Sequence, residues 1–183
     1  SLGIGGLTFE PGNPDTLYAG TGFWFNTLSG TNVFGSAPRG AGIYRTRDAG
    51  QKWEVLPAPS GVHFRYINEI LVSKNDVNRI YVATGTGIFR STDGGQNWTQ
   101  VLNRANPGEN GCQDMVMRTD QQTDYLFAAC GTSRAGVAAI FRNTDASGEG
   151  TWQPVLVPAA MGNTTLALAP SNQSIIYALM ASN

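Results

Sequence analysis

The sequence predicts an all-β fold of repeated four-stranded antiparallel sheets, and three observations predict it. First, one motif occurs three times: IYRTRDAGQKWEVL from Ile43, IFRSTDGGQNWTQVL from Ile88 and IFRNTDASGEGTWQPVL from Ile140. Its aspartates, Asp48, Asp93 and Asp145, are spaced by 45 and then 52 residues. Second, a hairpin pattern precedes each copy: LTFEPGNPDTLYAGTG from Leu7, EILVSKNDVNRIYVATGTG from Glu69 and DMVMRTDQQTDYLFAACGT from Asp114. Each is a short apolar run, a turn rich in Asn, Asp or Pro, and a second run carrying Tyr or Phe. Third, no stretch holds a 3.6-residue apolar period long enough for a helix. Hairpin plus motif makes four short strands every 45 to 52 residues, the signature of a β-propeller blade.

Taken in order, the blades cover residues 7–57, 68–102 and 114–156, and a lone hairpin, TLALAPSNQSIIYALM, makes a half blade over 165–183. In blade two the third strand is expected at Gly87 to Ser91 and the fourth at Trp98 to Leu102. One such sheet cannot bury both of its faces, so blades must stack. Closed propellers have four to eight blades and no broad open edge, so three and a half blades read as a segment of a larger propeller, or as one that a partner completes. The segment is the preferred reading, and the start at Ser1 rather than Met leads us to expect that a leader or more is missing.

The turn between third and fourth strands leaves backbone N–H groups without ladder partners. An aspartate oxygen accepts from them while glycine supplies left-handed angles, and the indole then covers the turn. Thr46, Asp48, Gly50 and Trp53, then Ser91, Asp93, Gly95 and Trp98, carry this chemistry, and Asp145, Gly148 and Trp152 are the third set. These corners resemble the Asp-box, or BNR, repeat Ser/Thr-x-Asp-x-Gly-x-x-x-Trp of sialidases, xyloglucanase-type glycoside hydrolases, sortilin-type receptors and secreted bacterial propellers. The third copy departs from it, with Asn143 replacing the hydroxyl residue and Asp145 seven residues before Trp152, so a bulge is expected there. A turn cap is needed once per blade and a catalytic group once per site, so the repetition assigns all three corners a structural role.

In a four-stranded meander the one-to-two and three-to-four turns share one rim. The two-to-three turns and the blade links share the other, and ligand-binding residues are expected there. Phe23, Trp24 and Phe25, in the twenty-residue connection Gly22 to Ala41, suit an aromatic platform for a sugar ring or an apolar partner. The first link brings His63, Phe64, Arg65 and Tyr66, the second Glu109 and Asn110, and blade three adds Arg134. Glycoside hydrolysis needs two carboxylates roughly 5 to 10 Å apart across a cleft. Only Glu109 falls clearly in a rim link, with Glu69 and Asp114 beginning first strands near the central channel. The catalytic residues of sialidases and xyloglucanases have no recognisable counterparts.

A formal net charge of -1, with no basic run, argues against nucleic acid, and no apolar stretch approaches a membrane span. One histidine and two cysteines do not make a structural zinc site, and the Gly-rich run at Thr84 precedes a strand rather than a helix, so neither metal nor cofactor is expected. If the two strands around Gln121 pair so that opposed residues sum to 243, Cys112 and Cys130 fall within one residue of facing, close enough for a disulfide. That implies an oxidising compartment: secreted, periplasmic or cell surface. The sequence therefore reads as a non-catalytic binding or assembly propeller whose partner is a protein or the remaining propeller segment, with carbohydrate as a further candidate. The alternative is a fragment of a polysaccharide-degrading hydrolase.

Overall fold

The computed structural model describes residues 3–22, 39–105, 111–131, 138–148, 150–159 and 161–181. Strands β1 (Ile4–Glu10), β2 (Asn13–Thr21), β3 (Ile43–Thr46) and β4 (Glu54–Val55) form the first sheet. The second holds β5 (Ile67–Val72), β6 (Ile80–Thr84), β7 (Gly87–Ser91) and β8 (Thr99–Asn103). The third holds β9 (Cys112–Arg118), β10 (Tyr125–Cys130), β11 (Ala139–Asn143) and β12 (Gln153–Leu156), and β13 (Thr164–Leu168) with β14 (Ile176–Met180) make a two-stranded fourth. Each sheet is an antiparallel meander in chain order, so this is an all-β partial propeller of three blades and a half. Among the described residues no helix is long and apolar enough to cross a membrane.

The first strands β1, β5, β9 and β13 lie side by side, which sets the sheets face to face. Side chains alternate along a strand, so each sheet feeds two apolar layers. In β6, Ile80 and Val82 join Tyr18, Ile43 and Ile70 in the layer against the first sheet. Tyr81 and Ala83 point the other way, to Met115 and Leu126 of the third. The second strand β6 is covered on both faces, and all of it is buried. Gly20 meets the Ile67 side chain so closely that any Cβ there would collide with it, which draws the first two blades together.

Two polar devices join the blades. In the third strands Arg45 and Arg90 occupy the same register, opposite Tyr18 and Tyr81 respectively. Arg45 Nη1 donates to the Gly94 carbonyl at 3.1 Å and Arg90 Nη1 to the Ala146 carbonyl at 2.6 Å. Gly94 and Ala146 each directly follow the aspartate of the next blade's corner. The same residues donate their own N–H groups to Asn78 and Asp124 of their own first hairpins, both at 2.8 Å. The residue after the corner aspartate is thus held from both sides.

The second device is Asp124, fully buried. It accepts from Ser73 Oγ at 2.6 Å, Asn75 Nδ2 at 2.9 Å, Arg79 Nη1 at 2.8 Å and the Tyr81 hydroxyl at 2.9 Å, all four from the preceding blade. Burial pushes its carboxyl up, but these donors outweigh burial and hold it below the usual carboxylate range. Because its proton affinity falls on folding, its contribution is complete at neutral pH and is lost as pH drops through its folded pKa.

Asp124→Ala would leave the mostly buried Arg79 with only the longer pairing to Asp76 and would strip Ser73, Asn75 and Tyr81 of their shared acceptor. The expected loss at pH 7 is on the order of 3 kcal/mol, read as a lower urea midpoint with an unchanged slope.

Candidate functional site

The corner rim is chemically closed. Thr46 Oγ1 accepts from the Gly50 amide at 2.9 Å and donates to Asp48 Oδ1 at 2.8 Å, and that oxygen also takes the Lys52 amide at 2.8 Å. The second corner repeats the arrangement: the Gly95 amide reaches Ser91 Oγ at 2.8 Å, and Asp93 Oδ1 takes the Gln96 and Asn97 amides at 3.0 and 2.9 Å. The Asn97 and Gln96 amides, with the Asn97 and Ser91 side chains, bring the Asp93 carboxyl down to about 2, and Asp48 is lowered by the Lys52 amide and the Thr46 hydroxyl. Gly50 and Gly95 take left-handed φ of 92° and 88°, which an L side chain resists. Trp53 Nε1 donates to the Gly50 carbonyl and Trp98 Nε1 to the Gly95 carbonyl, each at 3.1 Å. Trp98 also reaches back to the Pro57 carbonyl of the preceding blade at 3.0 Å.

The third corner is built differently. Asn143 bridges it, accepting from the Asp145 amide at 2.9 Å and donating to the Gly150 carbonyl at 2.9 Å, while Asp145 takes the Ser147 hydroxyl at 2.5 Å. Gly148, which the sequence places in the glycine position, has no left-handed φ and only donates to the Asp145 carbonyl. The close approach falls instead to Gly150, where a Cβ would strike Asn143 Oδ1. Among the described residues no three metal-ligating side chains gather anywhere.

The opposite rim carries His63, Arg65 and Tyr66 on one short 3-10 turn and the residue after it. His63 Nδ1 lies 3.0 Å from Thr86 Oγ1, and its ring rests on Phe89 with centroids 5.1 Å apart. Arg65 is exposed, its carbonyl accepting from the Gly40 amide at 2.8 Å, and Tyr66 covers Gly85. Phe64 belongs to the core rather than the rim: it is buried, with its ring edge-on to Phe89 and Trp98. Phe23, Trp24, Phe25, Glu109, Asn110 and Arg134 lie outside the described residues.

On the first strands, Glu69 and Asp114 hold equivalent places, each following a bulge in the pairing with the second strand. The bulged residues reach the next blade: Asn68 Nδ2 donates to the Cys112 carbonyl at 2.8 Å, and Gln113 Oε1 accepts from the Thr164 amide at 2.7 Å. No feature of the sequence marks these bulges except the one-residue offset of the cysteines. Glu69 accepts only the Ile70 amide, at 2.9 Å, whereas Asp114 takes the Met115 amide at 2.8 Å and the Leu166 amide at 2.7 Å. Burial pushes the Glu69 carboxyl up to about 7, the Ile70 amide opposes it, and the Asp114 charge adds to it. Burial also raises Asp114, against its two amides. In the first blade the place belongs to Gly6, so the pair is confined to blades two and three. Near neutral pH it can hold and release one proton.

Glu69 binds its proton more tightly folded than unfolded, so the fold loses stability as pH rises from 4.5 through about 7. Between pH 5 and 8 this one group is expected to cost on the order of 2 kcal/mol, after allowance for its partial exposure to solvent. Glu69→Gln should remove that slope in urea melts across the range.

No protein-family description matches the sequence, and no curated protein matches it significantly. Solved structures do resemble it. The GH74 enzyme of Niastella koreensis superposes with a TM-score of 0.64 at 21% identity, over 94% of this chain and 24% of that one. The GH74 xyloglucanase from Xanthomonas campestris gives 0.56 at 17% identity, over 96% and 34%. YCF48 bound to D1 peptide gives 0.54 at 15% identity, over 93% and 44%. The chain therefore spans less than half the length of each of these propellers. At such identities the likeness shows the fold: the chain is a β-propeller segment of three four-stranded blades and one two-stranded one.

Proposed function

We propose that the chain belongs to a non-catalytic binding and assembly propeller that is secreted, periplasmic or at the cell surface, and that its corners are structural Asp-boxes. The observation that carries this reading is that Asp48 and Asp93 each cap the amides of their own turn through Oδ1, which gives both a structural task. Ligand contact then falls to the opposite rim, where His63, Arg65 and Tyr66 combine an imidazole, a cation and a phenol. A peptide is the ligand class we favour, since the structurally similar YCF48 is bound to one. The aromatic run Phe23 to Phe25 would suit a sugar ring as well. The disulfide between Cys112 and Cys130 supports an oxidising compartment, and at a sequence separation of 18 it contributes about 3 kcal/mol on the chain-entropy account.

The hydrolase reading has one specific observation behind it. Glu69, its carboxyl pushed up to about 7 by burial, lies close enough to feel the Asp114 charge, and two neighbouring carboxyls are what acid–base cleavage of a glycosidic bond uses. The likeness to GH74 propellers, one of them a xyloglucanase, supports it at the level of fold.

Incubation with xyloglucan and sialosides, followed by reducing-end and free sialic acid assays, separates the two. We expect no turnover, together with retention on peptide or glycan arrays that falls roughly tenfold in Arg65→Ala or Tyr66→Ala as a rim contact is lost. Turnover that disappears in Glu69→Gln or Asp114→Asn would replace the binding reading with the hydrolase one.

A further inference from the structure

Arg39, Arg65 and Arg104 stand in a row on the rim that faces away from the corners, and the main chain puts them there. The Gly40 amide donates to the Arg65 carbonyl at 2.8 Å, the Gly85 amide to the Tyr66 carbonyl at 3.3 Å, and the Arg104 amide to the Thr86 carbonyl at 2.9 Å. The first of these crossings is fixed by close packing. A Cβ on Gly22 would strike the Arg65 carbonyl and one on Gly40 the Thr21 carbonyl, while Thr21 Oγ1 accepts from the Ala41 amide at 2.7 Å. Arg39, directly before Gly40, is thereby set beside Arg65.

These two guanidinium groups are not spent inside the fold. Both residues are exposed, and among the described residues neither side chain has an ionic or hydrogen-bonding partner. Arg45, Arg79 and Arg118, by contrast, hold Glu54, Asp124 and Asp120, and Arg104 lies over the Phe141 ring at 5.2 Å. No described carboxylate lies in a connection on this rim: all sit in first-hairpin turns, in or beside corners, or on first strands. Lys52 and Lys74 are on the corner side as well. The cations here are thus guanidinium forks, which match planar carboxylates where an ammonium offers a point charge.

We propose that Arg39 and Arg65 form a recognition site for an acidic peptide, whose side-chain carboxylates pair with the two guanidinium groups. An apolar neighbour in the peptide rests on Val62, which is 48% exposed at the head of the same turn. The described rings of that turn are engaged by the protein itself, His63 on Phe89, Phe64 on Trp98 and Tyr66 against Gly85, which favours a peptide over a stacked sugar. With the acids gathered towards the other rim, the field also steers a negatively charged segment to this one. The inference rests on the rim-binding reading and deepens it: that reading asks for a peptide, and this one asks that it be acidic.

The probe is a fluorescein-labelled peptide of alternating glutamate and valine, read by anisotropy against the same peptide with glutamine for glutamate. The acidic peptide is expected to bind about tenfold more tightly, with an affinity that falls severalfold between about 50 and 200 mM salt. Arg39→Gln and Arg65→Gln should each weaken it about fivefold while leaving the melting temperature within about 1 °C, since neither side chain holds the fold. Arg65→Glu should reverse the preference towards a lysine–valine peptide. Acidic-peptide binding indifferent to both glutamine variants, or oligogalacturonate bound more tightly than the acidic peptide, overturns the proposal. Equal retention of the glutamine peptide, lost in Tyr66→Ala, overturns it while leaving the rim reading in place, and failure of every peptide to bind overturns both.

Discussion

One residue per corner carries the geometry of the stack. The residue after the corner aspartate sends its N–H into its own first hairpin and receives the preceding blade's arginine on its carbonyl, as Gly94 and Ala146 both do. Either group left buried and unpaired would cost about 1 to 3 kcal/mol, so the two sheets have one favourable rotation relative to each other. Arginine suits the task because its charge is permanent and its donors form a fixed fork long enough to cross between sheets. The contact asks only for a main-chain oxygen, which is why glycine and alanine serve equally at the accepting position. Once the rotation is set, the next indole arrives over the preceding leucine, as Trp98 does near Leu56. Trp53 has no blade before it among the described residues and is 43% exposed.

The same stacking decides which way buried acids titrate. Asp124 and Glu69 are both taken out of water at blade junctions, and desolvation raises both. Asp124 meets four donors, one of them a guanidinium, and ends below its ordinary value. Glu69 meets one amide and a neighbouring carboxylate, and ends near neutrality. The number of donors in reach, rather than depth of burial, separates a carboxylate that fastens two blades from one that carries a proton. The bulges at Asn68 and Gln113 shift the first strands by a residue just before Glu69 and Asp114. Re-aiming side chains in this way is a common use of a bulge.

Much of this was legible in the sequence because it repeats locally. The hairpins, the corners and the third strand of blade two, Gly87–Ser91, follow from alternation and turn chemistry within a dozen residues. The pairing of β9 with β10 keeps a sum of 243 as far as Asp114, and the bulge at Gln113 then sets Cys112 opposite Cys130. What the sequence hid acts between blades. The Ile-aromatic-Arg start was visible three times, but the carbonyl that Arg45 seeks is 49 residues away and no residue type marks it. Phe64 looked like a rim residue because its neighbours are polar, yet its ring closes the core against Trp98, a partner that only the fold brings near. In the third corner the two extra residues moved the close approach to Gly150, and spacing alone could not choose between it and Gly148.

A repeating scaffold can recognise something only where it stops repeating. The first two corners carry the same turn, so a ligand that read that rim would find nearly the same surface twice over. The departures from repetition gather elsewhere: the His63–Arg65 turn interrupts one blade link and has no counterpart among the other described links, and the acidic pair occupies two first strands while Gly6 stands in the other. The acidic pair lies on first strands, and the turn lies on the rim facing away from the corners. Main-chain and core contacts made elsewhere carry much of the stack, so side chains at these places can differ from blade to blade, as Glu69, Asp114 and Gly6 do. That freedom is the physical reason to look for binding on this side of the molecule, and it holds whether the ligand proves to be a peptide or a sugar.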